Sequence, residues 1–125
     1  MSKKILVIDD EELITKSLVL ALEASRYEVL VAKHCDEAVA MAEAVDFDLI
    51  ISDIRMPGVD GIETVRKILE LMKKRHLNRV PKIFMTGYAD PKTEEAARAL
   101  KPNAYIYKPF DLREFLAEAK KALEK

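Results

Sequence analysis

The chain has 125 residues, with 21 basic and 22 acidic side chains and a formal net charge of −1. That length suits one domain with a buried core, and 50% hydrophobic residues exclude a disordered chain. The balanced charge favours neither direct nucleic-acid binding nor membrane attachment, and apolar runs of about five residues are too short to insert into a membrane. A single cysteine, Cys35, excludes an internal disulfide and fits a reducing compartment, so we expect a cytoplasmic protein. The N-terminal residues pass directly into a predicted strand, so we expect no signal peptide.

Short apolar runs, mostly β-branched or aromatic, alternate along the chain with apolar positions at helical spacing. In chain order, strands are predicted at Ile5–Ile8, Val29–Ala32, Leu49–Ile51, Ile83–Met85 and Ala104–Tyr107. The helices between and after them are predicted around Ile14–Leu22, Ala38–Val45, Ile62–Met72, Pro91–Leu100 and Leu112–Ala119. The alternation predicts an α/β fold, a single (βα)5 domain whose parallel sheet carries helices on both faces.

Aspartates mark the starts of three predicted helices. Asp60 with Glu63, and Asp111 with Glu114, have the spacing of a capping box, while Asp90 precedes a proline suited to the first helical position. The fourth helix, which follows Asp90, has an alanine-rich face with little bulk to bury, so we expect it to be loosely docked.

Polar side chains follow all five predicted strands, although Lys33 and His34, after the second, indicate nothing unusual. Asp9 and Asp10 end the first, Asp53 the third, Thr86 the fourth and Lys108 the fifth. Ligands of such sheets bind outside the carboxyl ends of the strands, so these groups should meet at one edge. Three carboxylates held together need compensating cations, and one lysine supplies a single charge. Carboxylate oxygens are ligands that Mg²⁺ prefers, so we expect a magnesium site there.

A purely structural role is open to some of these polar residues. Asp10 could cap the first helix, which would not exclude metal binding. Asp53 cannot be a cap in the same way, because no helix is predicted for several residues after it. Zinc is disfavoured because His34, His76 and Cys35 lack ligand-like spacing, and we expect these three to be structural or solvated.

A carboxylate beside Mg²⁺ and lysine is suited to act as the nucleophile of a phosphoryl transfer. The chain has no glycine-rich loop of either nucleotide-binding type, so it should not bind a nucleotide itself. The phosphoryl group should then come from a small donor or from another protein.

Four segments together resemble the receiver domain of bacterial response regulators. In the family's order and spacing they are Ile8–Glu11, Asp53–Gly58, Met85–Gly87 and Tyr105–Phe110. The resemblance covers essentially the whole chain and implies the strand order 2-1-3-4-5, known for the chemotaxis member of the family. It also implies that residues 1–125 form a single receiver domain with no effector domain.

The resemblance implies a role for each residue at the predicted edge. Asp53 would accept the phosphoryl group from the phosphohistidine of a histidine kinase, from a phosphotransfer protein or from a small donor. Asp9, Asp10, Asp53 and the backbone carbonyl of Arg55 would hold Mg²⁺, and Lys108 would contact the phosphoryl group. Such a domain is a phosphoacceptor regulator that catalyses only its own phosphorylation and dephosphorylation, not an enzyme with other substrates.

A switch pair and two tuning residues follow from the same resemblance. Thr86 and Tyr105 match the pair that responds to phosphorylation, and the face of the fourth helix, fifth strand and fifth helix would then control a downstream protein. Arg55 and Tyr88 stand at variable positions that tune the lifetime of the phosphoryl group.

Two prolines bear on local structure. The resemblance implies a cis peptide bond between Lys108 and Pro109. Lys101 and Pro102 stand where the family often has Gly-Ala, so we expect Pro102 to stop the fourth helix in place of the usual glycine.

Three other functions compete with this interpretation. A haloacid-dehalogenase-like phosphatase would carry a second Asp two residues after Asp53, where this chain has Arg55. A degenerate receiver that serves only as a binding module is disfavoured, because the five polar groups at the edge are all present. The third alternative is a flavodoxin-like electron carrier, which a lack of yellow colour in the purified protein would exclude.

Overall fold

The computed structural model describes residues 2–77, 79–88 and 90–124, and within these residues five strands alternate with five helices. The strands are β1 (Lys4–Ile8), β2 (Glu28–Ala32), β3 (Leu49–Asp53), β4 (Lys82–Thr86) and β5 (Ala104–Tyr107). The helices are α1 (Glu12–Ala24), α2 (Cys35–Ala44), α3 (Gly61–Lys74), α4 (Pro91–Arg98) and α5 (Leu112–Leu123). The strands pair in parallel in the order β2-β1-β3-β4-β5, which confirms the predicted topology.

The register of the sheet brings the strand ends level with one another. Ile8 pairs with Ser52, so the residues that follow β1 lie beside the end of β3. Asp53 pairs with Met85 in turn, and β4 ends beside β5. The chain leaves β1 toward β2 on one side and returns to β3 on the other, so strand order reverses between β1 and β3. Ligands of open α/β sheets bind at this point of reversal.

The core is divided between the two faces of the sheet. One face packs against α1 and α5, through Leu18, Leu22, Phe115 and Ala119. The other face packs against α2 and α3, through Ala38, Ala42, Val65, Ile68 and Met72. All five residues of β3 are buried. Burial on both faces explains why its sequence reads as a short apolar run without alternation.

The aspartates predicted at helix starts act as N-caps. Asp60 accepts a hydrogen bond of 2.9 Å from the backbone N–H three residues beyond it, at the start of α3. Asp111 accepts from the backbone N–H groups two and three residues beyond, at 2.7 and 3.4 Å. Asp90 accepts from the second residue beyond, at 3.1 Å, with Pro91 in the first turn.

The helix α4 is short and weakly buried. Of its described residues, Ala97 alone is buried. The helix ends at Arg98, earlier than a stop imposed by Pro102 would require. Lys101 then adopts a left-handed conformation with φ of +54°, and its N–H donates to the Arg98 carbonyl at 2.9 Å. Lys101 thus adopts the left-handed conformation that glycine usually adopts just after the end of a helix.

No helix within the described residues is both long and apolar enough to span a membrane.

Candidate functional site

Three aspartates meet at the carboxyl edge of the sheet. Asp9 and Asp10 follow β1, Asp53 ends β3, and one carboxylate oxygen from each lies within 4.8 Å of the others. Asp9 and Asp53 are 1% and 3% exposed, whereas Asp10 is exposed to solvent. The point of strand reversal therefore carries a concentration of negative charge that opens to solvent at Asp10.

The loop after β1 holds Asp9 in a fixed orientation. The Asp9 N–H donates to the Ala32 carbonyl at 3.0 Å, and its Oδ1 accepts from the Glu11 N–H at 3.0 Å. Its Oδ2 is buried and has no hydrogen-bond partner among the described residues. Helix α1 has Glu11 as its N-cap residue, so the alternative in which Asp10 caps that helix is wrong. Two carboxylates in this loop are thus left available for a cation.

A close backbone approach shapes the segment after Asp53. The Gly61 N–H donates to the Ile54 carbonyl at 2.8 Å, which folds the start of α3 against the end of β3. A Cβ atom on Gly61 would lie only 1.8 Å from the Asp53 carbonyl oxygen. This loop therefore requires glycine at position 61, a constraint that sequence reasoning missed because it arises between two segments of backbone.

Lys108 supplies the positive charge of the site. Its Nζ lies 2.7 Å from Glu11 Oε1, 3.1 Å from Asp53 Oδ2 and 3.6 Å from Asp9 Oδ2. Its backbone N–H donates to the Thr86 carbonyl at 2.7 Å, and the expected cis peptide bond to the following proline is present. Sequence reasoning missed the contact with Glu11, although the place of that residue directly after Asp10 could have suggested it.

The electrostatics of the site favour a bound cation. Burial raises the pKa of Asp53 to about 6, the Lys108 ammonium opposes this rise, and the nearby Asp9 carboxylate adds to it. Burial alone would lower the pKa of Lys108, but hydrogen bonds to Glu11 and Asp53 outweigh it and the pKa is raised. One ammonium thus faces several carboxylates, so a divalent cation would relieve the remaining repulsion.

The donor set fits a hard cation such as Mg²⁺. The cluster offers oxygen atoms, including a buried Asp9 oxygen that accepts no hydrogen bond from the described residues. Within the described part of the chain, this is the one group of three or more acidic, histidine or cysteine side chains close enough to share a metal ion. His34, His76 and Cys35 do not belong to it.

The side-chain contacts of the predicted switch pair, Thr86 and Tyr105, do not include the three aspartates. Thr86 is buried, and its hydroxyl bonds to the backbone of Tyr88. Tyr105 is half-buried against the core, and its hydroxyl has no hydrogen-bond partner among the described residues. Its ring lies 5.3 Å from the guanidinium of Arg98 and makes an edge contact with Tyr107, with 5.4 Å between ring centroids.

The two predicted tuning residues contact each other. The guanidinium carbon of Arg55 lies 4.2 Å from the centre of the Tyr88 ring, in a cation–π contact. Arg55 follows Asp53 by two residues and Tyr88 follows Thr86 by two, so the contact joins two loops at the edge of the site. An open groove of about 510 Å³ borders Arg55 on the side of α4.

Comparisons with known proteins agree on a family. The family model for the response regulator receiver domain matches residues 5–120. The transcriptional regulatory protein ResD of Bacillus subtilis is 39% identical over 126 residues, which cover 98% of this chain and 48% of that protein. The polar-differentiation response regulator DivK of Brucella ovis is 32% identical over 123 residues, which cover 98% of both. The chain spans about half the length, or less, of several other curated relatives that it matches.

Solved structures show the same fold. A CheY-like receiver domain protein from Methanospirillum hungatei superposes with a TM-score of 0.89 at 32% identity, over 99% of this chain and 95% of that one. The chemotaxis protein CheY4 of Vibrio cholerae superposes with a TM-score of 0.87 at 28% identity, over 98% of this chain and all of that one.

Proposed function

Because this chain belongs to the response regulator receiver domain family of two-component systems, we propose that it is a signalling switch that accepts a phosphoryl group on Asp53. The observation that carries the proposal is a buried Asp53 carboxylate, 3.1 Å from the Lys108 ammonium and grouped with two further aspartates. Family membership separates the chain from the dehalogenase-like phosphatases and flavodoxins that the sequence left as alternatives.

Asp53 acts as the nucleophile in this proposal. An Asp53 carboxylate oxygen forms a bond to phosphorus while the bond between phosphorus and the donor atom breaks, and the donor leaves with its electron pair. Attack requires the ionised carboxylate. With its pKa raised to about 6 in the metal-free protein, Asp53 is largely ionised at neutral pH, and a bound cation would favour the ionised form further.

Asp9, Asp10, Asp53 and the backbone carbonyl of Arg55 would hold the Mg²⁺ ion. When bound, this ion supplies positive charge beside the oxygens of the transferred group. Lys108 provides a second positive charge from the opposite loop, because its Nζ already lies within hydrogen-bond distance of Asp53. The chain's own residues thus orient the nucleophile and neutralise charge, so the phosphoryl donor supplies little more than the group itself.

Thr86 and Tyr105 would carry the signal away from the site. An added phosphoryl group brings close to two negative charges and strong acceptor oxygens, which attract the Thr86 hydroxyl. Movement of that hydroxyl leaves space that the Tyr105 ring can fill, and the face formed by α4, β5 and α5 changes shape. Phosphorylation then shifts an existing equilibrium between two conformations, because the attached phosphoryl group is stabilised better by one of them than by the other.

The partners follow from the family and remain proposals for this chain. The phosphoryl donor is a sensor histidine kinase or a phosphotransfer protein, and the output is a downstream protein that contacts the changed face. We further propose that residues 1–125 form one receiver domain. The cytoplasmic location expected from the sequence stays a prediction.

Labelling with a small phosphoryl donor tests the central proposal. With Mg²⁺ and phosphoramidate or acetyl phosphate, intact-mass spectrometry at neutral pH should show the addition of one phosphoryl group. Asp53→Asn should abolish the addition, whereas Asp36→Asn, at an exposed aspartate of α2, should leave it unchanged. Asp10→Ala should weaken Mg²⁺ binding in a titration without donor. Labelling of Asp53→Asn at the wild-type rate would refute the assignment of the phosphoacceptor.

A further inference from the structure

The shortest ion pair of Lys108 joins it to Glu11, outside the three-aspartate group. The Nζ–Oε1 distance is 2.7 Å, against 3.1 Å to Asp53 and 3.6 Å to Asp9. The pair links residues 97 positions apart, in the β1–α1 and β5–α5 loops. Glu11 therefore contacts the same ammonium that the proposed function assigns to the phosphoryl group.

The backbone on both sides of this pair is held in place. The Glu11 N–H donates to Asp9, and the Glu11 carbonyl accepts from the Thr15 N–H at 3.0 Å and from the Thr15 hydroxyl at 2.8 Å. On the other side, the Lys108 N–H donates to the Thr86 carbonyl at 2.7 Å. The two loops thus hold the backbones of Glu11 and Lys108 in place, so pairing of the side chains costs little additional backbone entropy.

The carboxylate of Glu11 has no other role visible in the described residues. Glu11 is the N-cap residue of α1, but its side chain makes no capping hydrogen bond there. Its side chain is 54% exposed, so it fills no space in the core. A charged group in this position acts on the site through Lys108.

Resting on the proposed function, we infer that Glu11 is a positioning residue that restrains Lys108 in the unphosphorylated state and competes with the phosphoryl group for it. The ammonium has three N–H donors, and Glu11 and Asp53 already engage it. A phosphoryl group on Asp53 adds more acceptor oxygens than the one remaining donor can serve, and its charge is repelled by Glu11. Glu11 must release Lys108 as the phosphoryl group arrives, so it slows phosphorylation and weakens the phosphorylated state.

Glu11→Gln tests this role, because it removes the charge and keeps a similar shape. The neighbouring Glu12→Gln is a matched control, since Glu12 pairs instead with Lys33 at 2.6 Å. Beryllium trifluoride, a stable mimic of the phosphoryl group, provides a readout that does not depend on turnover. At saturating Mg²⁺, Glu11→Gln should bind it about two- to fivefold more tightly, the effect expected of one partly exposed ion pair, and react faster with phosphoramidate. Glu12→Gln should match the wild type.

A double-mutant cycle separates competition for Lys108 from a general effect of charge. In a Lys108→Met background, Glu11→Gln should bring only the smaller gain that comes from relieved charge repulsion, and persistence of the full gain would overturn the role of Lys108. Equal or weaker binding of the mimic by Glu11→Gln than by wild type would overturn the inference outright. These outcomes differ from failure of the proposed function, in which the wild type itself takes up no phosphoryl group.

Discussion

The Thr86 hydroxyl accepts a hydrogen bond of 3.1 Å from the Tyr88 N–H and donates one of 3.3 Å to the Tyr88 carbonyl. It is therefore engaged by the loop that follows β4, and it can turn toward Asp53 only by giving up both bonds. Each bond contributes on the order of 1 kcal/mol, which an acceptor as strong as a phosphoryl oxygen can offset. These two hydrogen bonds thus favour the present conformation of Thr86 over one in which its hydroxyl turns toward Asp53.

Thr86→Ala should separate phosphorylation from its distant effects. The variant should still be labelled on Asp53, because the hydroxyl does not position that carboxylate. Changes in NMR chemical shift on phosphorylation should shrink at Tyr105 and along α4, whereas Thr86→Ser, which keeps the hydroxyl, should retain them. The same distant changes in Thr86→Ala as in wild type would rule out the route from Thr86 to Tyr105.

A hydrogen bond ties α4 to β5 at the proposed output face. The Tyr107 hydroxyl donates to Glu94 at 2.5 Å, and Arg98, which lies over the Tyr105 ring, donates to the other Glu94 oxygen at 2.9 Å. Since α4 buries little, Tyr107→Phe should speed amide hydrogen exchange in α4 and leave β3 unchanged. Tyr27→Phe, far from α4 in sequence and packed on the opposite face of the sheet, is the control. Unaltered exchange in α4 would show that this bond does not hold the helix.

The contact between Arg55 and Tyr88 should lengthen the life of the phosphoryl group. The stacked pair joins two loops at the carboxyl edge and can limit the access of water to Asp53. Arg55→Ala and Tyr88→Ala should each speed the decay of phosphorylated protein after donor removal, and the double variant should decay little faster than either. Tyr88→Phe keeps the ring and should decay like wild type. Additive effects in the double variant would mean that the two residues act separately.

The raised pKa of Asp53 should make the metal-free protein less stable as pH rises. Between the ordinary value of 3.8 and about 6, the folded state holds more protons than the unfolded state, so the free energy of unfolding falls with increasing pH. Asp53→Asn removes this titration. In denaturant unfolding, the free energies of unfolding of variant and wild type should differ little near pH 4. The variant should become increasingly more stable than the wild type as the pH rises toward neutral.

Magnesium provides the check on this dependence. Saturating Mg²⁺ should stabilise the wild type at neutral pH by RT ln(1+[Mg²⁺]/Kd) and reduce the advantage of Asp53→Asn. A constant difference between the two proteins across the pH range would contradict the proposed cost of burying the charge.

Two glycines near the site should respond very differently to an added methyl group. A Cβ at position 61 would lie 1.8 Å from the Asp53 carbonyl oxygen, whereas at Gly87 the nearest atom, in Lys108, is 3.9 Å away. Gly61→Ala should lower the free energy of unfolding by about 1–3 kcal/mol or more, because backbone must shift to accept it. Gly87→Ala should be tolerated in the same unfolding measurement. Similar stabilities of the two variants would show that the loop after β3 can relax.

The strands, the helices and the α/β class could be predicted because their signals are local, whereas the strand order came from the resemblance to a known family. Strand length, apolar content and the aspartates that begin helices are properties of neighbouring residues, and a parallel sheet necessarily aligns the ends of its strands. For that reason Asp9, Asp10, Asp53 and Lys108 could be expected at one edge before their distances were known. The motifs at those ends then indicated the family.

Contacts between distant loops depended on tertiary structure. The pairing of Glu11 with Lys108 and the approach of Gly61 to Asp53 join separate segments of backbone, whose relative positions no periodicity encodes. The early end of α4 depends on a left-handed Lys101, a conformation that lysine does not favour in isolation. The raised pKa of Asp53 likewise arises from burial, which exists only once the helices have covered both faces of the sheet.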